Sequence, residues 1–106
     1  MLTRAFKMAS REKKIMQILC SSSFEKQLKE ILSEYAKEDF AATKNYKMYL
    51  DTIILNMPTK VQKFKKSIYF DDENIKDIEH QGHTIPFYYD PKKEVYLLLG
   101  IVKNTP

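Results

Sequence analysis

Cysteine occurs once, at Cys20, so the chain forms no internal disulfide and assembles no cysteine-based zinc site; a reducing compartment, the cytoplasm, is the expected setting. Arginine is nearly as scarce. Only Arg4 and Arg11 occur among 18 basic residues. Beyond residue 11 the positive charge rests on lysine, which lacks the planar fork that grips phosphate in two places. That weighs against reading of base edges in particular. No apolar run reaches the length of a membrane span, and no signal peptide, internal repeat or low-complexity tract is visible. Histidine is confined to His80 and His83.

The residues that are present set the scale. A chain of 106 residues, 43% apolar and 12% aromatic, fills one hydrophobic core and is too short for two. A net charge of +4 and an isoelectric point near 9.1 favour an acidic partner: nucleic acid, the ribosome or an acidic protein. Residues 1–12 show neither a sustained period nor turn chemistry. They are expected to be a flexible extension, with Met8 as an alternative start, ahead of a single domain over 13–106.

From Lys13 to Cys20 the apolar residues Ile15, Met16, Ile18 and Leu19 suit a first strand. Ser22 and Glu25 stand at capping-box spacing, and Phe24, Leu28, Ile31, Leu32 and Tyr35 then recur at helical intervals, predicting a helix over about 23–37. Asp39 offers a second N-cap. After it Phe40, Tyr46, Tyr49, Leu50, Ile53, Ile54 and Met57 form an apolar stripe that stops at Pro58. Two helices so closely joined fold back as an antiparallel hairpin, and the stripe reads as a core face packed on a sheet. Beyond Pro58 the period falls to two: KKSIYF is a weak strand or extended connection, DDEN a turn, and IKDIEHQ, HTIPFYY and EVYLLLGIVK are strands. The last is apolar at both parities, as in a central strand beside which the first can pair. Pro86 cannot donate to a ladder, so its strand must be exposed there, bulged, or paired through its other residues, an irregularity placed to shape a groove near the histidines. The fold class is α+β.

The stretch SSFEKQLKEILSEYAKEDFAATKNYKMYLDTIILNMP resembles the helical hairpin of the RelE/ParE superfamily of bacterial type II toxins. IKDIEHQGHTIPFYYD followed by EVYLLLGIVK resembles its strands, and the likeness spans roughly residues 13–103. Where the family has a basic residue before an aliphatic, a Tyr-x-Ile-x-Tyr-like strand, an acidic turn and a final aliphatic strand ending in a basic group, this chain resembles it with Lys76 and Ile78, with His83, Ile85 and Phe87, with Asp90, and with Leu97 to Ile101 and Lys103. The resemblance implies a β-α-α-β-β-β fold, its antiparallel-rich curved sheet packed against a helical hairpin in the N-terminal half. It also implies a growth-arresting toxin neutralised by a cognate antitoxin protein, with DNA reached only through that antitoxin. Two mechanisms occur in the superfamily: ribosome-associated mRNA cleavage by a metal-independent endoribonuclease, as in RelE-like members, which is the expected one here because of the clustered lysines and two histidines, and, as the alternative, inhibition of DNA gyrase without hydrolysis, as in ParE-like members. A non-toxic basic binding domain on the same fold is a third reading.

RNA cleavage without metal or cofactor needs a base for the 2′-hydroxyl, cations for the phosphorane and an acid for the leaving oxygen. Lys76, His80, His83 and Lys103 are the candidate catalytic groups, and the run Lys60, Lys63, Lys65 and Lys66 the candidate RNA contact. Each has a plainer reading: a solvated lysine face, packing for His83, an exposed strand position for His80. Lysine at position 76, where many RelE-like nucleases resemble one another in having arginine, and a C-terminus without a histidine or tyrosine depart from the nuclease pattern. The long hairpin looks more ParE-like.

Overall fold

The computed structural model describes residues 2–9 and 15–104. Strands β1 (Leu2–Ala9) and β2 (Ile15–Ser21) are followed by helices α1 (Ser22–Glu38) and α2 (Phe40–Asn56). A 3-10 helix (Met57–Lys63) leads to strands β3 (Ile75–His80), β4 (His83–Asp90), β5 (Val95–Leu98) and β6 (Val102–Lys103). The protein is thus α+β: two helices beside a mixed sheet in the order β1-β2-β5-β4-β3, with β6 added to β4. β2 runs parallel to β5, and the other neighbours are antiparallel.

Capping residues set both helix starts. Ser21, not Ser22, opens α1: its Oγ accepts the Phe24 N–H at 3.1 Å while donating to the Leu99 carbonyl at 3.0 Å. The hydroxyl that starts the helix therefore also ties it to the far end of the chain, which capping-box spacing alone does not reveal. Asp39 accepts the Ala42 N–H at 3.0 Å, and its own N–H reaches the Tyr35 carbonyl, so one residue closes α1 and opens α2. A one-residue joint forces the hairpin. Its inner face, Phe24 and Leu28 from α1 with Tyr46, Leu50 and Ile54 from α2, packs on Ile18, Ile78, Ile85, Phe87, Tyr96 and Leu98 of the sheet, with Met57 and Ile101 closing the ends. Phe40 and Tyr49 leave the predicted stripe: they lie on the outer face, 67% and 53% exposed. The four-residue interval that buries Tyr46, Leu50 and Ile54 turns positions 40 and 49 away from the sheet.

Two strands differ from expectation. Leu2–Ala9, expected to be part of an extension, forms β1 against β2. Its stabilisation comes from pairing with a partner strand, and so leaves no local period to read. The C-terminal strand, expected to be continuous, is split. β4 pairs Phe87 with Leu98 but Thr84 with Val102, so the register slips by one residue across 99–101. Pro86 lies opposite this bulge. Asp77, its partner on β3, turns its N–H outward to Lys65, so the proline nitrogen faces the slipped segment, where no ladder donor is required. The displaced Ile101 N–H is taken by Gln27 Oε1 of α1 at 2.9 Å, and Gly100 leaves room: a Cβ there would stand 2.8 Å from that oxygen. β5 still lies centrally, between β2 and β4. Neither helix, among the described residues, is long and apolar enough to cross a membrane.

Candidate functional site

The predicted site residues fall at opposite ends of β3 and β4. At one end His80, Gln81, Gly82 and His83 make a two-residue hairpin. Gln81 and Gly82 have φ of 44° and 84°, the consecutive left-handed pair that a type I′ turn requires. The turn sets His80 and His83 across from each other, and β6 brings Lys103 opposite His83. Both imidazoles point into the interior, 5% and 2% exposed. His83 Nδ1 lies 3.2 Å from the Tyr46 hydroxyl and Nε2 3.5 Å from the Tyr35 hydroxyl. A neutral imidazole offers one donor and one acceptor, and a phenol stands beside each ring nitrogen. His80 Nε2 stands 3.4 Å from the Tyr46 carbonyl, its ring 4.8 Å from the Tyr46 ring.

Burial is the main cause that lowers the His83 pKa; His80 and Lys103 push the same way, against a backbone hydrogen bond at Gln81. Burial also pushes the Tyr46 phenol up to about 12, with Tyr35 adding to it. These shifts keep His83 uncharged and Tyr46 protonated at neutral pH. His80 is therefore not the exposed strand residue that its sequence position suggested, and Lys103 alone of this group reaches solvent. A hollow of about 220 Å³ opens beside the cluster, lined by Tyr35, Glu38, Asp39, Tyr46 and Gln81 among others, and neither imidazole lines it.

The other end carries the lysines. Lys60 and Lys63 lie on the 3-10 helix and Lys65 and Lys66 just after it, all exposed. Lys66 pairs with Asp71 at 3.4 Å and Glu73 at 3.7 Å. Lys76 is half-buried and donates to the Val61 carbonyl at 3.0 Å, holding the C-terminal end of the 3-10 helix against the sheet. Lys76 and His80 stand four steps apart along β3, a distance of about 13 Å at ~3.3 Å per residue. The four candidate catalytic groups thus do not converge on one point: His80, His83 and Lys103 share one end of the hairpin, and Lys76 shares the other with the lysine run.

Sequence reasoning missed the groups that decide these environments. Tyr35 and Tyr46 read as core apolar positions, yet their hydroxyls clasp His83; aromatic residues at helical spacing to a paired strand histidine were the available signal. On the outer face of the sheet the Thr84 hydroxyl, 1% exposed, reaches both Glu79 and Asn104, and Asn104 Nδ2 donates to Glu79 Oε1 at 2.9 Å. Asp77 accepts the Ile68 N–H at 3.0 Å, while its Oδ1 is buried without a hydrogen-bond partner among the described residues. No group of three or more His, Cys, Asp or Glu side chains among the described residues is arranged to hold a metal ion. Comparison of the chain with protein-family models and with curated proteins finds no match.

Proposed function

We propose that the chain is the toxin component of a RelE/ParE-type toxin–antitoxin module, a cytoplasmic protein that arrests growth until a cognate antitoxin covers it. The observation that carries this reading is the element order. After β1, the strand β2, a tightly joined helical hairpin and an antiparallel run of strands follow one another, with β2 paired parallel beside β5. Of the two toxin mechanisms, the enclosed histidines favour action by binding, as in inhibition of DNA gyrase without hydrolysis. His83, buried with a tyrosine hydroxyl beside each ring nitrogen, is poorly placed to meet a 2′-hydroxyl proton.

Ribosome-associated mRNA cleavage is the second reading. It is favoured by the exposed lysines Lys60, Lys63, Lys65, Lys66 and Lys103, which would supply the cationic contacts to RNA without the histidines. Controlled induction in a bacterial host tests both. Growth arrest relieved by the adjacent small gene supports the toxin reading, and continued growth overturns it. Primer extension on cellular mRNA during arrest separates the mechanisms: codon-register cuts require a nuclease, whereas intact mRNA with a DNA-damage response fits gyrase poisoning. If cuts appear and persist unchanged in His80→Ala/His83→Ala, the chemistry belongs to lysine.

A further inference from the structure

The loop between the 3-10 helix and β3 carries an apolar tripeptide in water. Ile68, Tyr69 and Phe70 are 83%, 45% and 41% exposed. Hydrogen bonds hold both ends of the loop. The Tyr69 N–H donates to Ser67 Oγ at 3.1 Å, the Ile68 N–H to Asp77 Oδ2 at 3.0 Å, the Asn74 N–H to Asp72 Oδ1 at 2.8 Å and the Ile75 N–H to the Asp72 carbonyl at 3.1 Å. These hydrogen bonds hold the backbone while three large side chains stay outside the core. A fixed loop with contiguous exposed apolar groups loses little conformational freedom when a partner covers it.

The charges around the tripeptide identify the partner. Lys63, Lys65 and Lys66 precede it; Asp71, Asp72 and Glu73 follow it. About Tyr69 the pattern reverses sign: Lys66 stands as far before it as Asp72 after it, Lys65 as far before it as Glu73 after it, and Ile68 mirrors Phe70. Lys63 and Lys65 make no ion pair among the described residues, and Asp72 is exposed. A nucleic acid would gain from the lysines and be repelled by the carboxylates a few residues on. A two-fold axis near Tyr69 instead sets each lysine run against a carboxylate run and packs the apolar centre on itself, as an isologous contact demands. We infer that this loop is a self-association surface at which two copies of the chain form a symmetric dimer.

The contact is centred on three side chains, so it belongs at the small end of specific interfaces, below about 1,200 Å² in total, and the dimer is reversible. Sedimentation equilibrium of the purified chain at low salt is expected to show half-dimerisation at roughly 10–300 µM. Ile68→Asp and the pair Tyr69→Ser/Phe70→Ser are expected to raise the dissociation constant at least tenfold with an unchanged circular dichroism spectrum. Lys63→Glu/Lys65→Glu should weaken the dimer at low salt and remove most of its salt dependence. Phe40→Ser/Met48→Ser, on the outer face of α2, should leave it unchanged. A chain that stays monomeric throughout, or a dimer that survives the loop variants or is broken by the α2 variants, overturns the inference. So does a monomer whose loop variants instead lose binding to a single-stranded RNA oligonucleotide, which would make the loop a nucleic-acid contact.

Discussion

The two ends of the β3–β4 hairpin are built from similar residues and used in opposite ways. At the turn, two histidines and Tyr46 are buried, Tyr35 is half-buried beside them, and Lys103 is left in solvent. At the other end lysines, carboxylates and three large apolar side chains are held outward on a loop whose backbone is hydrogen-bonded. Titratable residue type therefore says little by itself about which end meets a partner. Satisfaction decides it: the imidazole of His83 has spent both nitrogens on Tyr35 and Tyr46, whereas Lys63 and Lys65 have spent nothing among the described residues.

The sharpest way to break this contrast is to cut each end by one ring. Tyr46→Ala removes a buried ring together with a partner of His83, and is expected to cost about 3–5 kcal/mol in urea denaturation. Tyr69→Ala, at the open end, should stay within about 0.5 kcal/mol of the parent protein. Equal losses would mean that the loop is as much a part of the core as the cluster. A smaller effect separates the lysines from one another. Lys76→Met gives up a charge-assisted hydrogen bond to the Val61 carbonyl and should cost about 1–2 kcal/mol, while Lys60→Met and Lys63→Met move the denaturation midpoint by less than about 0.5 kcal/mol equivalent.

Smaller still is the effect of Gly82→Ala. Open space surrounds that position, so the loss, about 1 kcal/mol, reflects backbone conformation alone and should appear as a lowered Tm. The pH response is the mildest test. Because the folded pKa of His83 is lowered, the unfolded chain takes up a proton below about pH 6.5 that the folded chain refuses, and Tm should decline as pH falls from that point. His83→Gln should flatten that part of the decline, leaving the share due to carboxylates. At the alkaline limit Tyr46 and Tyr96, both raised from 10.0 to about 12, hold their protons when the unfolded chain has released them. Their stabilisation is full below pH 10 and lost as pH rises toward 12.

How far the sequence reaches can be judged residue by residue. Asp39 as a cap, the stop at Asn56 before Pro58, and the strands at 75–80 and 83–90 are legible because each has a local cause: a side-chain oxygen, a missing N–H, a period of two. The α+β order follows from them. The outcome at Pro86 was among the alternatives that its missing donor allows, but the choice of a bulge depends on Gln27 and Gly100, which are far apart in the chain and brought together only by the fold. The histidines illustrate the harder limit. Strand alternation places positions 76, 78 and 80 on one face without saying whether a helix covers it, and only the packing of α2 at Tyr46 turns two prospective acid–base groups into interior ones. β1 was unreadable for a similar reason, since its order is lent by β2.

The short pairing of residues 65–67 along β3 has a consequence for behaviour at high concentration. Ser67 donates to the Ile75 carbonyl at 2.8 Å and Asp77 donates to the Lys65 carbonyl at 3.1 Å, so the outer rim of β3 is occupied over half its length by the chain itself. Along the remainder the exposed Glu79 presents a negative charge. A strand from another molecule arriving at this rim finds half of its hydrogen-bonding groups already taken, which disfavours edge-to-edge growth on that side. The protein can thus keep an apolar loop in water immediately beside a sheet edge without offering the template that such a neighbour would otherwise nucleate.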